Sequence, residues 1–101
     1  MPQELQFMVD FSFPKVLPDQ FLDLLPMQRN RANKLFREGK LVNLAIALDH
    51  SKMWAVFRAE SLEEVEALLA ELPLTPYLRY RICPLTVFSA VESGSPAFSL
   101  N

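Results

Sequence analysis

Residues 41–72 have the sequence LVNLAIALDHSKMWAVFRAESLEEVEALLAEL, and this stretch decides which elements form the centre of the fold. Two largely apolar runs, Leu41 to Leu48 and Met53 to Ala59, have the length and composition of strands. The polar residues Asp49-His50-Ser51-Lys52 between them predict a tight connection. We therefore expect an antiparallel hairpin in the first half of the stretch.

The second half of the stretch predicts a helix. Ser61 and Glu64 match the S-x-x-E capping box, in which both side chains accept hydrogen bonds from N–H groups at the start of a helix. Apolar residues then recur at helical spacing and form one stripe, which consists of Val65, Leu68, Leu69 and Leu72. Pro73 follows this stripe and should end the helix.

A strand and a helix are predicted upstream of the hairpin. From Leu5 to Phe13 every second residue is large and apolar, which is the pattern of a half-buried strand. Pro18 and Asp19 suit the first turn of a helix, and Gly39 suits its left-handed cap, so the helix should end at about Glu38. Pro26 lies inside it and predicts a kink or a short first helical piece.

Downstream, Tyr77 to Ile82 alternates apolar and basic residues and predicts a fourth strand. The resulting order, β-α-β-β-α-β, is that of the ferredoxin-like α+β fold, with an antiparallel sheet and both helices on one face. The other face needs a cover, so we expect a homodimer or a larger assembly of dimers. We assign residues 1–88 to one domain and the Ser-rich residues 89–101 to a C-terminal arm or flexible tail.

Composition excludes several classes of function. A net charge of −2 gives no attraction for nucleic acid, and no apolar stretch reaches the ~18 residues of a membrane span. Without a signal-peptide pattern at the N-terminus, we expect a cytoplasmic protein. The lone Cys83 and His50 cannot build a Cys/His zinc cage, and two glycines cannot form a phosphate-binding loop. We therefore expect no metal and no cofactor.

Three short motifs resemble the muconolactone isomerase family. They are Arg37-Glu38-Gly39-Lys40, the segment Glu71-Leu72-Pro73-Leu74-Thr75-Pro76-Tyr77, and Pro84-Leu85. The resemblance implies a dimeric α+β barrel within a ring of dimers, and a double-bond shift in a lactone by proton transfer without a metal or organic cofactor. It also implies His and Arg on the strand after the Gly-Lys turn, where this chain has Asn43 and Ile46. The family's first helix is rich in ionisable residues where this chain has Pro26-Met27-Gln28.

Few side chains are candidates for such chemistry. Asp10 on the first strand and His50 in the hairpin turn are possible proton carriers, and Asn43 is a donor to an enolate oxygen. Candidate substrate-binding residues are Arg79 and Arg81, which share a strand face and suit an acidic ligand, together with Trp54 and Tyr80.

Each candidate also has a plainer structural interpretation. A solvated strand or turn residue explains Asp10 and His50, and aromatic packing explains Trp54 and Tyr80. The arginines could instead pair with the acidic helix of another subunit, and Cys83 is most simply a small buried apolar residue. An isomerase is the first hypothesis. A cofactor-free monooxygenase of the same fold, or a non-catalytic ligand-binding or structural oligomer, remains the alternative.

Overall fold

The computed structural model describes residues 5–86, and the predicted order of elements is confirmed there. The elements are β1 (Leu5–Ser12), α1 (Asp19–Asp23), α2 (Leu25–Arg37), β2 (Leu41–Ile46), β3 (Lys52–Ala59), α3 (Leu62–Ala70), a 3₁₀ turn (Thr75–Tyr77) and β4 (Arg79–Leu85). The predicted arm, residues 89–101, lies outside this range. Within residues 5–86 no helix is long and apolar enough to cross a membrane.

The strands form one antiparallel sheet in the order β2-β3-β1-β4. This order and the helix positions are those of the ferredoxin-like fold, as predicted. The central strand, β1, pairs with β3 along its whole length and with β4 from Gln6 to Ser12. Its register therefore decides which side chains of three strands meet.

The core lies between one face of the sheet and the helices. Phe7, Val9 and Phe11 alternate along β1 and are buried, as the apolar pattern predicts. They pack with the alternate residues of β3 and with helical side chains such as Phe21 and Leu69. We call the other side of the sheet the open face. It carries Gln6, Met8, Asp10, Ser12, Asn43, Ala45, Lys52, Trp54, Val56, Arg58, Arg79, Arg81, Cys83 and Leu85.

The first predicted helix consists of two helices, which confirms the short first piece expected from Pro26. The break is at Leu24, and Pro26 lies in the first turn of α2, where its missing N–H leaves no hydrogen bond unmade. The N–H of Leu24 donates to Gln20 and Phe21 carbonyls, both at 3.2 Å. The proline thus begins a helix instead of bending one.

The cap of α3 differs from the predicted box in one bond. Ser61 Oγ accepts the N–H of Glu64 at 3.1 Å, as expected. The Glu64 carboxylate, however, accepts the N–H of Glu60 at 2.7 Å and not that of Ser61. Both side chains of the predicted box therefore cap the helix, but the donor to the Glu64 carboxylate is one residue before the expected one.

Several strand ends also differ from the prediction. The strand predicted to reach Leu48 ends at Ile46, because the His50 N–H donates to the Ala47 carbonyl at 2.9 Å and closes the turn there. Lys52, predicted in the connection, begins β3. At the other edge β4 runs through Pro84 to Leu85, which an edge strand tolerates because the proline needs no N–H partner on its outer side.

Gly39 allows the chain to turn from α2 into β2. Its φ is +74°, and a Cβ placed on it would meet Arg58 Nη1 only at 4.0 Å, an ordinary van der Waals distance. We therefore expect Gly39→Ala to lower the free energy of unfolding by about 1 kcal/mol, through the backbone alone. Gly39→Asn should cost less, because asparagine tolerates this conformation better. Urea unfolding at one fixed protein concentration measures both, and equal costs would contradict this explanation.

Candidate active site

Two rows of polar side chains cross the open face at one end of the sheet. In the first row, Ser12 on β1 lies opposite both Lys52 on β3 and Arg79 on β4. In the second row, Asp10 lies opposite Trp54 and Arg81. Directly opposed residues in antiparallel strands place their Cβ atoms roughly 5 Å apart on the same face. Three separate strands therefore bring one carboxylate and three cationic side chains together.

The centre of this cluster is an ion pair between Asp10 and Lys52. Lys52 Nζ lies 2.5 Å from Asp10 Oδ1 and also donates to Ser12 Oγ at 3.2 Å. Asp10 Oδ1 is shielded from solvent and has no well-aligned hydrogen bond, so the contact with Lys52 is electrostatic. The Asp10 side chain as a whole is 41% exposed. The carboxyl group is thus held in place while remaining accessible.

A cleft of about 290 Å³ lies over the cluster, and we call it the charged cleft. It is lined by Asp10, Ser12, Lys52, Arg79, Tyr80 and Arg81. Within residues 5–86 neither Arg79 nor Arg81 forms an ion pair with a carboxylate. The cleft therefore has excess positive charge, which favours an anionic ligand.

A second cleft, of about 440 Å³, adjoins the first, and we call it the side cleft. Its lining consists of Ser12, Phe13, Pro14, Lys15, Tyr77 and Arg79. Ser12 and Arg79 line both spaces, so the two clefts meet along the end of the first polar row.

A third space, the apolar cavity, lies on the helix side of the sheet and measures about 280 Å³. Its walls include Leu44, Ile46 and Met53 of the sheet and Phe36 of α2. Its polar lining residues are Gln28, Arg29 and Asn33, and the Gln28 side-chain oxygen accepts the Leu74 N–H at 3.0 Å. No carboxylate or histidine lines it, so it provides a shape for an apolar group but no general base.

The structure brings some of the predicted site residues together and separates others. Asp10, Arg79, Arg81 and Tyr80 line the charged cleft, although Tyr80 belongs to the helix side of β4, where its ring lies 6.2 Å from that of Phe11. Trp54 is the cross-strand neighbour of Asp10, and its side chain is 37% exposed.

Asn43 and His50 lie away from this cleft. Asn43 is exposed on β2 opposite Val56, diagonal to Trp54 on the open face. For the monooxygenase alternative, Asn43, Trp54 and the arginines would have to hold the substrate together. They line no common cavity among the three described. His50 is exposed in the hairpin turn and lines none of these spaces.

The turn that holds His50 is organised by its neighbours. The Ser51 hydroxyl donates to Asp49 Oδ1 at 2.6 Å and the Ser51 N–H donates to the same oxygen at 3.0 Å. These bonds, the hydroxyl's first, lower the pKa of Asp49 below its ordinary value, with a small further contribution from His50. His50 itself has a φ of +60°, which is uncommon for a residue other than glycine. The turn is a structural element, and its carboxylate is already engaged.

Sequence reasoning missed Lys52 and Ser12. Ser12 lies on the polar side of β1, so its face was predictable, but its meeting with Lys52 depends on the β1–β3 register. Cys83 was predicted to be buried and is exposed, because it lies on the open face of an edge strand, where none of the described helices packs. In the part of the chain that the structure describes, no three His, Cys, Asp or Glu side chains form a metal-binding group.

The family comparison supports the resemblance seen in the motifs. The model of the muconolactone delta-isomerase family matches residues 5–90. The chain belongs to this family. A crystal structure of muconolactone isomerase superposes with a TM-score of 0.68 at 24% identity, covering 93% of this chain and 100% of that one. An uncharacterized protein from Thermotoga maritima gives a TM-score of 0.53 at 12% identity, covering 83% and 100%. A search of curated proteins finds no match.

The resemblance implies other residues at five positions of this chain, and two of them, Gln28 and Ile46, line the apolar cavity. Neither of these side chains is ionisable. Asn43, another of the five, lies on the opposite face of the sheet. Among the residues that line the three spaces, Asp10 of the charged cleft is the one carboxylate.

The Asp10–Lys52 pair should contribute measurably to stability. A double-mutant cycle with Asp10→Asn and Lys52→Met should give a coupling energy of about 1 kcal/mol, limited by the partial exposure of both side chains. Lys52→Met alone should cost more than the double variant, since it leaves a shielded carboxylate oxygen without its counter-ion.

The Lys40–Glu64 pair, at 3.6 Å, is the matched control for this cycle, and its coupling should be smaller. Urea unfolding measures both cycles. Equal coupling energies for the two pairs would show that Asp10 and Lys52 form only an ordinary surface contact.

Proposed function

We propose that the chain is a cofactor-independent isomerase that moves a proton within a small cyclic acid or lactone, with its active site in the charged cleft. The observation that carries this proposal is the shared lining of one cleft by the Asp10 carboxylate and by two arginines without acidic partners in residues 5–86. Membership of the muconolactone delta-isomerase family supports the reaction type.

Substrate binding is assigned to the arginines. Arg79 and Arg81 lie on alternate positions of β4, so both guanidinium groups rise from one face of the strand. A guanidinium group binds a carboxylate through paired, charge-assisted hydrogen bonds. A substrate carboxylate held there would place its ring in the charged cleft above Asp10, and Trp54, the cross-strand neighbour of Asp10, provides an adjacent apolar surface.

Proton transfer is assigned to Asp10. Its carboxylate removes a proton from the carbon next to the substrate carbonyl, and the electron pair moves into a conjugated enolate. Lys52 and Ser12, which are linked at 3.2 Å, lie beside Asp10 and favour the negative charge that develops on the enolate oxygen. Asp10 then returns the proton to the carbon at the far end of the conjugated system. The double bond has moved, and no atom has been gained or lost.

Self-association completes this proposal. The middle of the open face is apolar. Ala45 and Cys83 are exposed there and Met8 is half-buried, around Val56, which is already buried within the single chain. None of the helices in residues 5–86 packs on this face. A second copy packed on this surface would bury it and would place the charged cleft at the edge of the interface. Excluding water there would strengthen the electrostatic contacts between the cleft and its substrate.

Hydrogen–deuterium exchange into unsaturated lactones and related cyclic acids, followed by NMR, tests the reaction. Wild-type protein should catalyse exchange, and Asp10→Asn should lower the rate at least about a hundredfold, as expected for the loss of a general base. Arg81→Gln should chiefly raise KM, because it removes a contact to the substrate carboxylate.

Arg31→Gln, on the exposed side of α2, is the matched control for the loss of an arginine and should leave exchange unchanged. Exchange that is retained in Asp10→Asn and lost in His50→Gln would assign the role of general base to His50 in the hairpin turn. If no substrate in the series exchanges with wild-type protein, the isomerase proposal is wrong.

Light scattering with separate charge substitutions tests the assembly. Cys83→Arg puts a charge in the middle of the open face and should shift the wild-type oligomer towards monomer. Leu48→Arg puts the same charge on a turn residue that is 97% exposed and should leave the assembly intact. A monomeric wild type at micromolar concentration, or an unchanged oligomer in Cys83→Arg, would contradict the proposed interface.

Non-catalytic ligand binding is the second candidate, and the apolar cavity favours it. That cavity is enclosed mainly by apolar side chains, with Arg29 and Asn33 as polar contacts and no general base. Such a lining suits recognition of an apolar ring with one polar substituent. Binding of the lactone series without exchange, abolished by Ile46→Trp and kept by Asp10→Asn, would support this function over the isomerase.

A further inference from the structure

We infer that the charged cleft and the side cleft form one elongated site, and that the site takes a small organic ligand with two anionic groups. This inference rests on the proposed function for its link to a substrate, which would then be a diacid. Its physical basis is independent of any reaction. Ser12 and Arg79 line both clefts, so the two spaces lie side by side and share a wall.

The charge of the combined lining exceeds what one carboxylate can neutralise. Four cationic side chains line it, namely Lys15, Lys52, Arg79 and Arg81. Asp10 is the one acidic lining residue, and its charge is matched by Lys52. The other three cations have no ion-pair partner among residues 5–86. A single carboxylate would leave most of this positive charge unpaired, whereas a dianion would engage it at both ends of the site.

The cations are arranged along a line, which suits two separate anionic groups. Arg81 and Arg79 are two residues apart on β4, or roughly 7 Å along the strand. Lys15 follows in the loop after β1, on the far side of Ser12, which lies opposite Arg79. One anionic group is therefore expected between Arg81 and Arg79, and the other between Arg79 and Lys15.

The side cleft also provides a rigid apolar wall for the carbon frame between the two groups. Phe13 and Tyr77 line it, and both rings pack edge-on against the buried Phe21, at 5.9 and 6.1 Å between centroids. Because Phe21 fixes both rings, this wall exists before a ligand arrives, which lowers the entropic cost of binding. An inorganic anion would make no use of it.

Calorimetric titration of the full chain with glutarate and pentanoate tests the inference. These saturated acids have the same chain length and differ in one carboxylate, and neither can undergo the proposed isomerisation. Wild-type protein should bind glutarate at least about tenfold more tightly than pentanoate. Lys15→Gln should remove most of this preference by weakening glutarate binding and leaving pentanoate binding almost unchanged.

Lys34→Gln, on the exposed surface of α2, is the matched control and should leave both affinities unchanged. Arg79→Gln should weaken both ligands, because Arg79 borders both clefts. Equal affinity for glutarate and pentanoate overturns the inference. Inorganic phosphate that competes as well as glutarate and depends equally on Lys15 also overturns it, since a point-charge site would then suffice.

The results of the calorimetric titration and of the exchange assay can be distinguished. Asp10→Asn removes the negative charge of the lining, so it should bind glutarate more tightly while losing exchange. Selective glutarate binding without exchange on any substrate would support the dianion site and contradict the isomerase proposal. Exchange on monocarboxylate lactones without a preference for glutarate would support the isomerase proposal and contradict the dianion site. Binding of an acidic peptide with the α3 sequence, together with no binding of glutarate, would contradict the inference and would assign the cations to a contact between subunits.

Discussion

The pairing of β1 with strands on both sides is the constraint on which the core and the site both depend. Its odd-numbered residues from Phe7 to Phe11 enter the core, and its even-numbered residues Asp10 and Ser12 meet Lys52, Arg79 and Arg81. A slip of one residue would move Asp10 into the core and Phe11 onto the open face. The burial of three apolar side chains therefore also holds the register that assembles the polar cluster.

The polar cluster is tolerated because it is not fully buried. Within residues 5–86 no polar or charged residue is buried as a whole, and the Asp10–Lys52 pair retains contact with water. Complete burial of such a pair would cost more desolvation free energy than the attraction between the two charges contributes. Arg79 and Arg81, which have no acidic partner among residues 5–86, are likewise stable on an open face. Losing their hydration would cost free energy if a second copy covered the sheet, and an anion held between them would offset that cost.

Local patterns predicted the elements well, and tertiary register limited the prediction of the site. Alternation predicted the two faces of β1, and a proline placed the break between α1 and α2. The faces of Arg79 and Arg81 also follow from alternation. The meeting of Asp10 with Arg81 does not, since it depends on how β1 and β4 align. Lys52 was missed because the turn closes at Ala47 and His50, which leaves Lys52 in the strand. No sequence pattern assigned Gln28 or Asn33 to a cavity, because only the packing of α2 over β2 makes them line one.

Phe13 connects the two sides of the sheet, since it lines both the side cleft and the apolar cavity. It follows directly after β1, where the chain leaves the sheet and the separation between the two faces ends. Its ring packs edge-on against Phe21, so its position is set by the core and not by either space. The charged and apolar spaces are therefore neighbours around the end of β1, although one belongs to the open face and the other to the helix side. A ligand anchored by its charges in the clefts would contact the same aromatic ring that closes the apolar cavity.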